Sequence, residues 1–141
     1  MYCYKYPHPA VTADCIVFYK EDDKLEVLLI KRKNEPYKDC WAFPGGFVNM
    51  DESAEEAAIR ELKEETGLEV SEVEQLKAYS NPDRDPRERV ITIAFIAESE
   101  IKAVKGSDDA KEARWFDISN LPPLAFDHED ILRDALEKIN H

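Results

Sequence analysis

Gly46-Phe-Val-Asn-Met-Asp-Glu52-Ser53-Ala-Glu-Glu56-Ala-Ala-Ile-Arg60-Glu61-Leu62-Lys-Glu64-Glu65-Thr-Gly67-Leu68 is the stretch from which the rest of this chain can be read. Ser53 followed by Glu56 forms a capping box, in which hydroxyl and carboxylate satisfy each other's backbone amides at a helix start. Gly67 supplies the left-handed residue that ends a helix. The spacing therefore predicts a helix from Ser53 to Thr66. On a wheel at about 100° per residue, Glu65 lies about 40° to one side of Glu61 and Glu64 about 60° to the other. Ala54, Ala57, Ala58, Leu62 and Ile59 form the apolar arc, and Arg60, Glu56 and Lys63 take the solvent side. Glu61 and Glu65 thus fall inside the apolar arc.

That placement is expensive for carboxylates. Two of them at i and i+4 repel by a few tenths of a kcal/mol in water, and burial removes solvation as well. A divalent cation would supply the missing charge. Mg²⁺ fits, because it takes one or two carboxylates and completes its shell with water and substrate phosphate. The neighbouring alanines are small enough to let backbone and ligand approach. The competing reading is a solvated acidic helix, since Glu is a strong helix former. Periodicity alone leaves both readings open.

Around this helix, Val11 to Tyr19 and Leu25 to Arg32 read as strands joined by a turn at Glu21-Asp-Asp-Lys24. Phe43-Pro-Gly-Gly46 breaks the chain. Leu76 to Tyr79, Val90 to Ala97 and Ala113 to Phe116 read as further strands, and Asp127 to Ile139 as a closing amphipathic helix. Strands before, between and after two helices predict an α/β fold with a mixed sheet flanked by helices. No internal repeat is visible, and 141 residues suit a single domain spanning 1–141.

Composition narrows the function. The net charge of −12 opposes a duplex nucleic acid, and no basic stripe offsets it. An acidic protein that handles phosphates needs a cation between them. No apolar run approaches the roughly 18–20 residues that cross a bilayer, and Met1 to Pro7 lacks a secretory signal pattern, so the expectation is a cytoplasmic protein with no membrane partner. Cys3, Cys15 and Cys40 show no metal-ligand spacing and are expected to be reduced, mostly packed thiols.

The quoted stretch resembles the complete Nudix box: Gly, five residues, Glu, seven residues, then Arg-Glu-aliphatic-x-Glu-Glu-x-Gly-aliphatic. Every fixed position matches, and this displaces the solvated-helix reading. The resemblance implies a Nudix-type α/β/α sandwich with a mixed β-sheet, in which this loop and helix bind Mg²⁺, or Mn²⁺ as a substitute, and hold a diphosphate. Carried over, Glu61, Glu64 and Glu65 would be metal ligands and catalytic groups. Gly46 would offer its carbonyl, Arg60 would position the glutamates, and Glu52 would support them. The reaction is water attack on phosphorus. Pro82 and the strings Lys31 to Pro36, Trp41 to Gly46, Ser80 to Arg87, Asp108 to Trp115 and Leu124 to His128 resemble the ADP-ribose pyrophosphatase branch. This implies cleavage of ADP-ribose into AMP and ribose 5-phosphate by a homodimer. A (d)NTP pyrophosphohydrolase is the alternative within catalysis. An ADP-ribose sensor is the alternative outside it, disfavoured by acidic charge and by the few residues after Trp115, too few for a DNA-reading domain.

Further candidates lie outside the box. Arg32, Arg84 and Arg87, with Gly45 and Phe47, are expected to bind substrate. Asp83, Asp85 and Glu88 offer Arg84, Arg87 and Arg89 a competing, self-paired loop. Asp108, Asp109, Glu112 or a box glutamate would be the base. Tyr4, Tyr6 and Phe47 could stack on a purine, with core or interface packing as the alternative. His8 and His128 read as capping or surface residues.

Overall fold

The computed structural model describes residues 3–102 and 112–140. Its elements are β1 (Ala10–Glu21), β2 (Lys24–Lys31), β3 (Trp41–Ala42), β4 (Gly45–Phe47), α1 (Ala54–Thr66), β5 (Glu74–Tyr79), β6 (Val90–Glu98), β7 (Ala113–Asp117) and α2 (His128–Ile139). Within these residues the strands form one mixed sheet with the path β3-β2-β1-β6-β5; β4 also pairs with β1, and β7 with β2. The β1–β6 pair is parallel, from Ala10↔Val90 to Phe18↔Glu98. The remaining pairs are antiparallel.

Both faces of the sheet are covered, which explains why β1, β2 and β6 read as nearly unbroken apolar runs. Ala13, Cys15 and Val17 of β1 pack with Leu28, Phe95, Ala57, Ala58 and Leu62 on the α1 face. Ile16 and Phe18 point the other way, to Val27, Leu29, Ile96, Ile131, Leu132 and Ala135 on the α2 face. The period-two alternation of a strand thus sorts one run into two cores, giving the helix–sheet–helix sandwich. Tyr79 Oη donates to Asp134 at 2.8 Å and ties β5 to α2.

The edge of β1 opposite β6 is shared. Phe18 to Glu21 pair with β2, whereas Thr12 to Asp14 pair with β4. β1 and β2 therefore diverge, and β3, Phe43, Pro44 and β4 fill the wedge between them. The expected break at Phe43–Gly46 is confined to Phe43 and Pro44, since Gly45 and Gly46 belong to β4; both flanking strands are too short to show alternation. Asp22, in the expected turn, has φ 55°. None of the described helices is long and apolar enough to cross a membrane.

Candidate active site

Helix α1 is built as its sequence requires. The Ser53 hydroxyl accepts the Glu56 amide at 3.1 Å, and the Glu56 carboxylate accepts the Ser53 amide at 2.9 Å. Gly67, at φ 78°, closes the helix, its amide donating to Lys63 O at 2.8 Å. Thr66 Oγ1 donates to Leu62 O at 2.7 Å and accepts Leu68 N–H at 3.1 Å, so the buried last turn leaves this hydroxyl satisfied.

With its ends fixed, α1 turns Glu61 and Glu65 toward β4. Glu65 is only 5% exposed, and its Oε1 accepts the Gly45 amide at 2.9 Å. Gly45, expected to meet substrate, lines the cleft between β1 and β2, and its N–H holds Glu65. A side chain on Gly46 would overlap the Glu61 carboxylate, and one on Gly45 would overlap Asp14 Oδ1 and Ala13 O. Close approach, rather than unusual backbone geometry, is why both positions are glycine. Burial first, then the charge of Glu65 and a hydrogen bond with Glu64, push the Glu61 carboxyl up to about 7.

Arg60 organises the acids. Its Nε and Nη2 grip Glu52 at 2.7–3.2 Å, Nη1 reaches Glu61 and Glu64 at 3.1 Å each, and Nη2 also reaches Phe47 O at 3.2 Å. This bidentate pairing holds the Glu52 carboxyl below, and the guanidinium above, their ordinary ranges. Arg60 is thus a positioning residue. Of the three expected ligands, Glu61 and Glu65 converge beside Gly46, and Glu64, 57% exposed, is linked to Glu61 by a hydrogen bond and by the shared Arg60 Nη1. Among the described residues, no group of three or more His, Cys, Asp or Glu side chains is gathered as a complete metal cage. Two partly desolvated carboxylates beside a close backbone still fit a cation that draws its other ligands from water and phosphate.

Gly46 and Glu65 line a cleft of about 280 Å³ in the wedge between β1 and β2. Arg32, Arg84, Asp85, Arg87, Phe47, Phe126, Asp14 and His128 line it too. Arg84 is bound bidentately by Asp127, at 2.7 and 2.9 Å, with only 5% of its side chain exposed. Its expected local partners are not the ones used. Arg87 is self-paired within its loop, to Asp85 at 2.7 and 3.0 Å, which holds the Asp85 carboxyl below its usual range. Arg32 donates through Nε to Pro36 O at 2.9 Å. Its guanidinium and that of Arg87 stand 4.8 and 5.6 Å from the Phe126 ring. Burial, and then Arg87, lower the Arg32 pKa.

His128 departs furthest from expectation. It is 4% exposed, stacks on Phe43 at 4.8 Å, and accepts the Phe43 amide on Nδ1 at 3.2 Å. Asp14 Oδ2 accepts the Thr92 hydroxyl at 2.7 Å. Asp14 and Thr92 carried no local sequence signal, because they are 78 residues apart.

Other candidates fall outside the cleft. Tyr4 and Tyr6 are exposed and do not line it, and His8 stacks on Tyr4 at 4.0 Å. Glu112 is exposed and paired with Arg114. Asp108 and Asp109 lie outside the described residues. The cysteines are all free; Cys15 is buried and its thiol pushed up to about 12 by burial, Cys40 is half-buried, and Cys3 is exposed rather than packed.

The NUDIX domain model matches residues 8–135. The chain is 55% identical over 131 residues to an ADP-ribose pyrophosphatase from Methanocaldococcus jannaschii, covering 93% of this chain and 75% of that protein. It is 35% identical over 141 residues to the ADPR responsive transcriptional repressor NtrR of Acinetobacter baylyi, covering 96% of this chain and 56% of the repressor. The NUDIX domain of Shewanella oneidensis NrtR, solved with ADP ribose, superposes with a TM-score of 0.88 at 31% identity, over 95% of this chain and 90% of that one. Hydrolases of this family generally work with a divalent metal. With its sequence and its fold now matched to known proteins, this chain belongs to the Nudix family and is a Nudix diphosphohydrolase.

Proposed function

We propose that the chain hydrolyses ADP-ribose to AMP and ribose 5-phosphate with Mg²⁺, for which Mn²⁺ can substitute. The observation that carries this reading is the convergence of Glu61 and Glu65 beside Gly46, where Gly46 and Glu65 line a cleft that also presents Arg32, Arg84 and Arg87. Glu61, Glu65 and the Gly46 carbonyl would hold the metal, with Glu64 as the further carboxylate on the same helix. The metal, when bound, lowers the charge on the diphosphate and activates water.

The chain's own groups do the rest. Arg60 fixes the direction of Glu61 and Glu64, and the Gly45 amide fixes Glu65. Arg32 and Arg87 face the diphosphate or terminal ribose as cations held against Phe126, and half-exposed Phe47 offers a ring to the base. Arg84, locked to Asp127, shapes the cleft and adds positive potential to it. The relative that supports this substrate is the Methanocaldococcus pyrophosphatase.

The same reading places a single domain over residues 1–141 in the cytoplasm, working as a homodimer without nucleic acid. Exposed Tyr4, Tyr6, Val11 and Met50, with Val48 N–H bonded to Val11 O, support an apolar surface for the second copy near β1 and β4.

Purified protein with Mg²⁺, assayed against ADP-ribose, NADH and a dNTP panel, tests the substrate. ADP-ribose should lead in kcat/KM and release AMP; a dNTP in the lead would overturn the assignment. Likeness to the Acinetobacter repressor favours one further reading, a sensor. Tight ADP-ribose binding with no product released would establish it.

A further inference from the structure

We infer that Asp14 and His128 together form a subsite for a sugar hydroxyl of the substrate, and so determine specificity in the cleft. This inference rests on the proposed reaction for its substrate and adds residues that the Nudix box does not contain.

The Phe43 amide donates to His128 Nδ1 at 3.2 Å. That bond leaves the lone pair on Nδ1 and the proton on Nε2. Nε2 faces Asp14 Oδ2 at 3.7 Å, too far for a hydrogen bond. No other described group accepts from it. A donor on a ring that is 4% exposed is costly to leave unmet. Asp14 is nearly as buried, and its Oδ2 already accepts from Thr92 at 2.7 Å, so the carboxyl is held in one orientation. Both side chains line the cleft. One oxygen that accepts from Nε2–H and donates to Oδ2 would satisfy the pair. A hydroxyl does both; a phosphate oxygen only accepts, and the carboxyl would repel it.

Position argues for a sugar over a base. Gly45 donates its amide to Glu65, and a side chain on it would overlap Asp14 Oδ1. One backbone residue therefore separates the subsite from the acidic cluster. A group bound there stands a few bonds from phosphorus, which is where pentose hydroxyls lie and the base does not. Two pentoses flank the diphosphate of ADP-ribose, and the experiment distinguishes them.

The test is a double-mutant cycle between Asp14→Asn and missing hydroxyls. Wild type and variant are assayed with ADP-ribose, with its analogue lacking the adenosine 2′- and 3′-hydroxyls, and with ADP propyl ester, which lacks the terminal pentose. Asp14→Asn should raise KM for ADP-ribose about tenfold, the scale of one lost hydrogen bond to a charged group, with kcat within about twofold. One analogue should suffer a comparable KM penalty in wild type and almost none in the variant, naming the pentose. His128→Gln, checked for a native melting temperature, should reproduce the pattern if Asp14→Asn does not fold. Unchanged KM in a folded variant, or penalties that persist in it, would overturn the inference and leave the pair to an ordered water. Calorimetry separates the two levels. ADP-ribose that binds with Asp14-dependent affinity but is not cleaved overturns the reaction and keeps the subsite. Full turnover without Asp14 dependence does the reverse.

Discussion

The acidic and basic parts of the cleft are built by different means. The acidic part comes from one contiguous segment, Gly45 to Gly67, whose caps, glycines and helical phase place Glu61 and Glu65. The basic and aromatic part is assembled from the segment after β2, the 80–89 loop, the segment before α2 and α2 itself. Its bonds join Arg84 to Asp127 across 43 residues and Phe43 to His128 across 85. A local construction can place charge within a few ångströms from sequence-near constraints alone. A distributed one places charge only when the whole sheet is folded. The first part should therefore fail chemically when altered, and the second should fail in stability or in substrate choice.

The largest expected effect is chemical. Glu65→Gln should lower kcat by at least about a hundredfold, since even outer-shell groups around a metal are worth 10–100-fold. Its melting temperature should be unchanged or raised, because one of two repelling carboxylates is gone. Gly46→Ala should cost about tenfold or more in kcat, as the added methyl displaces Glu61; circular dichroism should report an intact fold. Activity within twofold in either variant would break the contrast from the acidic side.

Arg84→Ala tests the other part. Removing a guanidinium with 5% of its side chain exposed strands Asp127, and breaking such a pair costs about 3 kcal/mol, readable as a shifted urea midpoint with an unchanged m-value. A loss under about 0.5 kcal/mol would mean that this part is not held by its long-range pairs.

A smaller effect concerns pH. Burial first lowers the His128 pKa, with Arg84 and Arg32 acting in the same direction, while Asp14 and Asp127 raise it. An unfolded histidine titrates near 6.5. Below that value the unfolded chain binds a proton that the folded chain refuses, so the contribution is fully present above about pH 6.5 and is lost as pH falls. Measured against His128→Gln, wild type should lose stability on acidification below about pH 6.5. Parallel curves would show that His128 is not held neutral.

The same contrast explains what was legible in the sequence. Ser53, Glu56 and Gly67 fix a helix through neighbours three or four residues away, so its ends and phase could be read directly. Alternation in β1 and β6 revealed strands, and it sorted their residues to two faces once both helices were in place. β3 and β4 are two and three residues long and leave no periodic trace, although they frame the cleft. His128 looked like a cap because it opens α2. Only the fold shows that it is buried against Phe43 and turned to Asp14, whose hydroxyl partner Thr92 is 78 residues away. Glu64 matched its motif position, yet it stands more exposed than Glu61 and Glu65 and shares the Arg60 guanidinium with Glu61.

The most direct test is calorimetric titration of Mg²⁺ into wild type and Glu65→Gln, each with a non-hydrolysable ADP-ribose analogue bound. The account predicts saturable binding in wild type and at least about tenfold weaker binding in the variant. Equal affinity in both proteins, or no saturable binding in wild type, would contradict it.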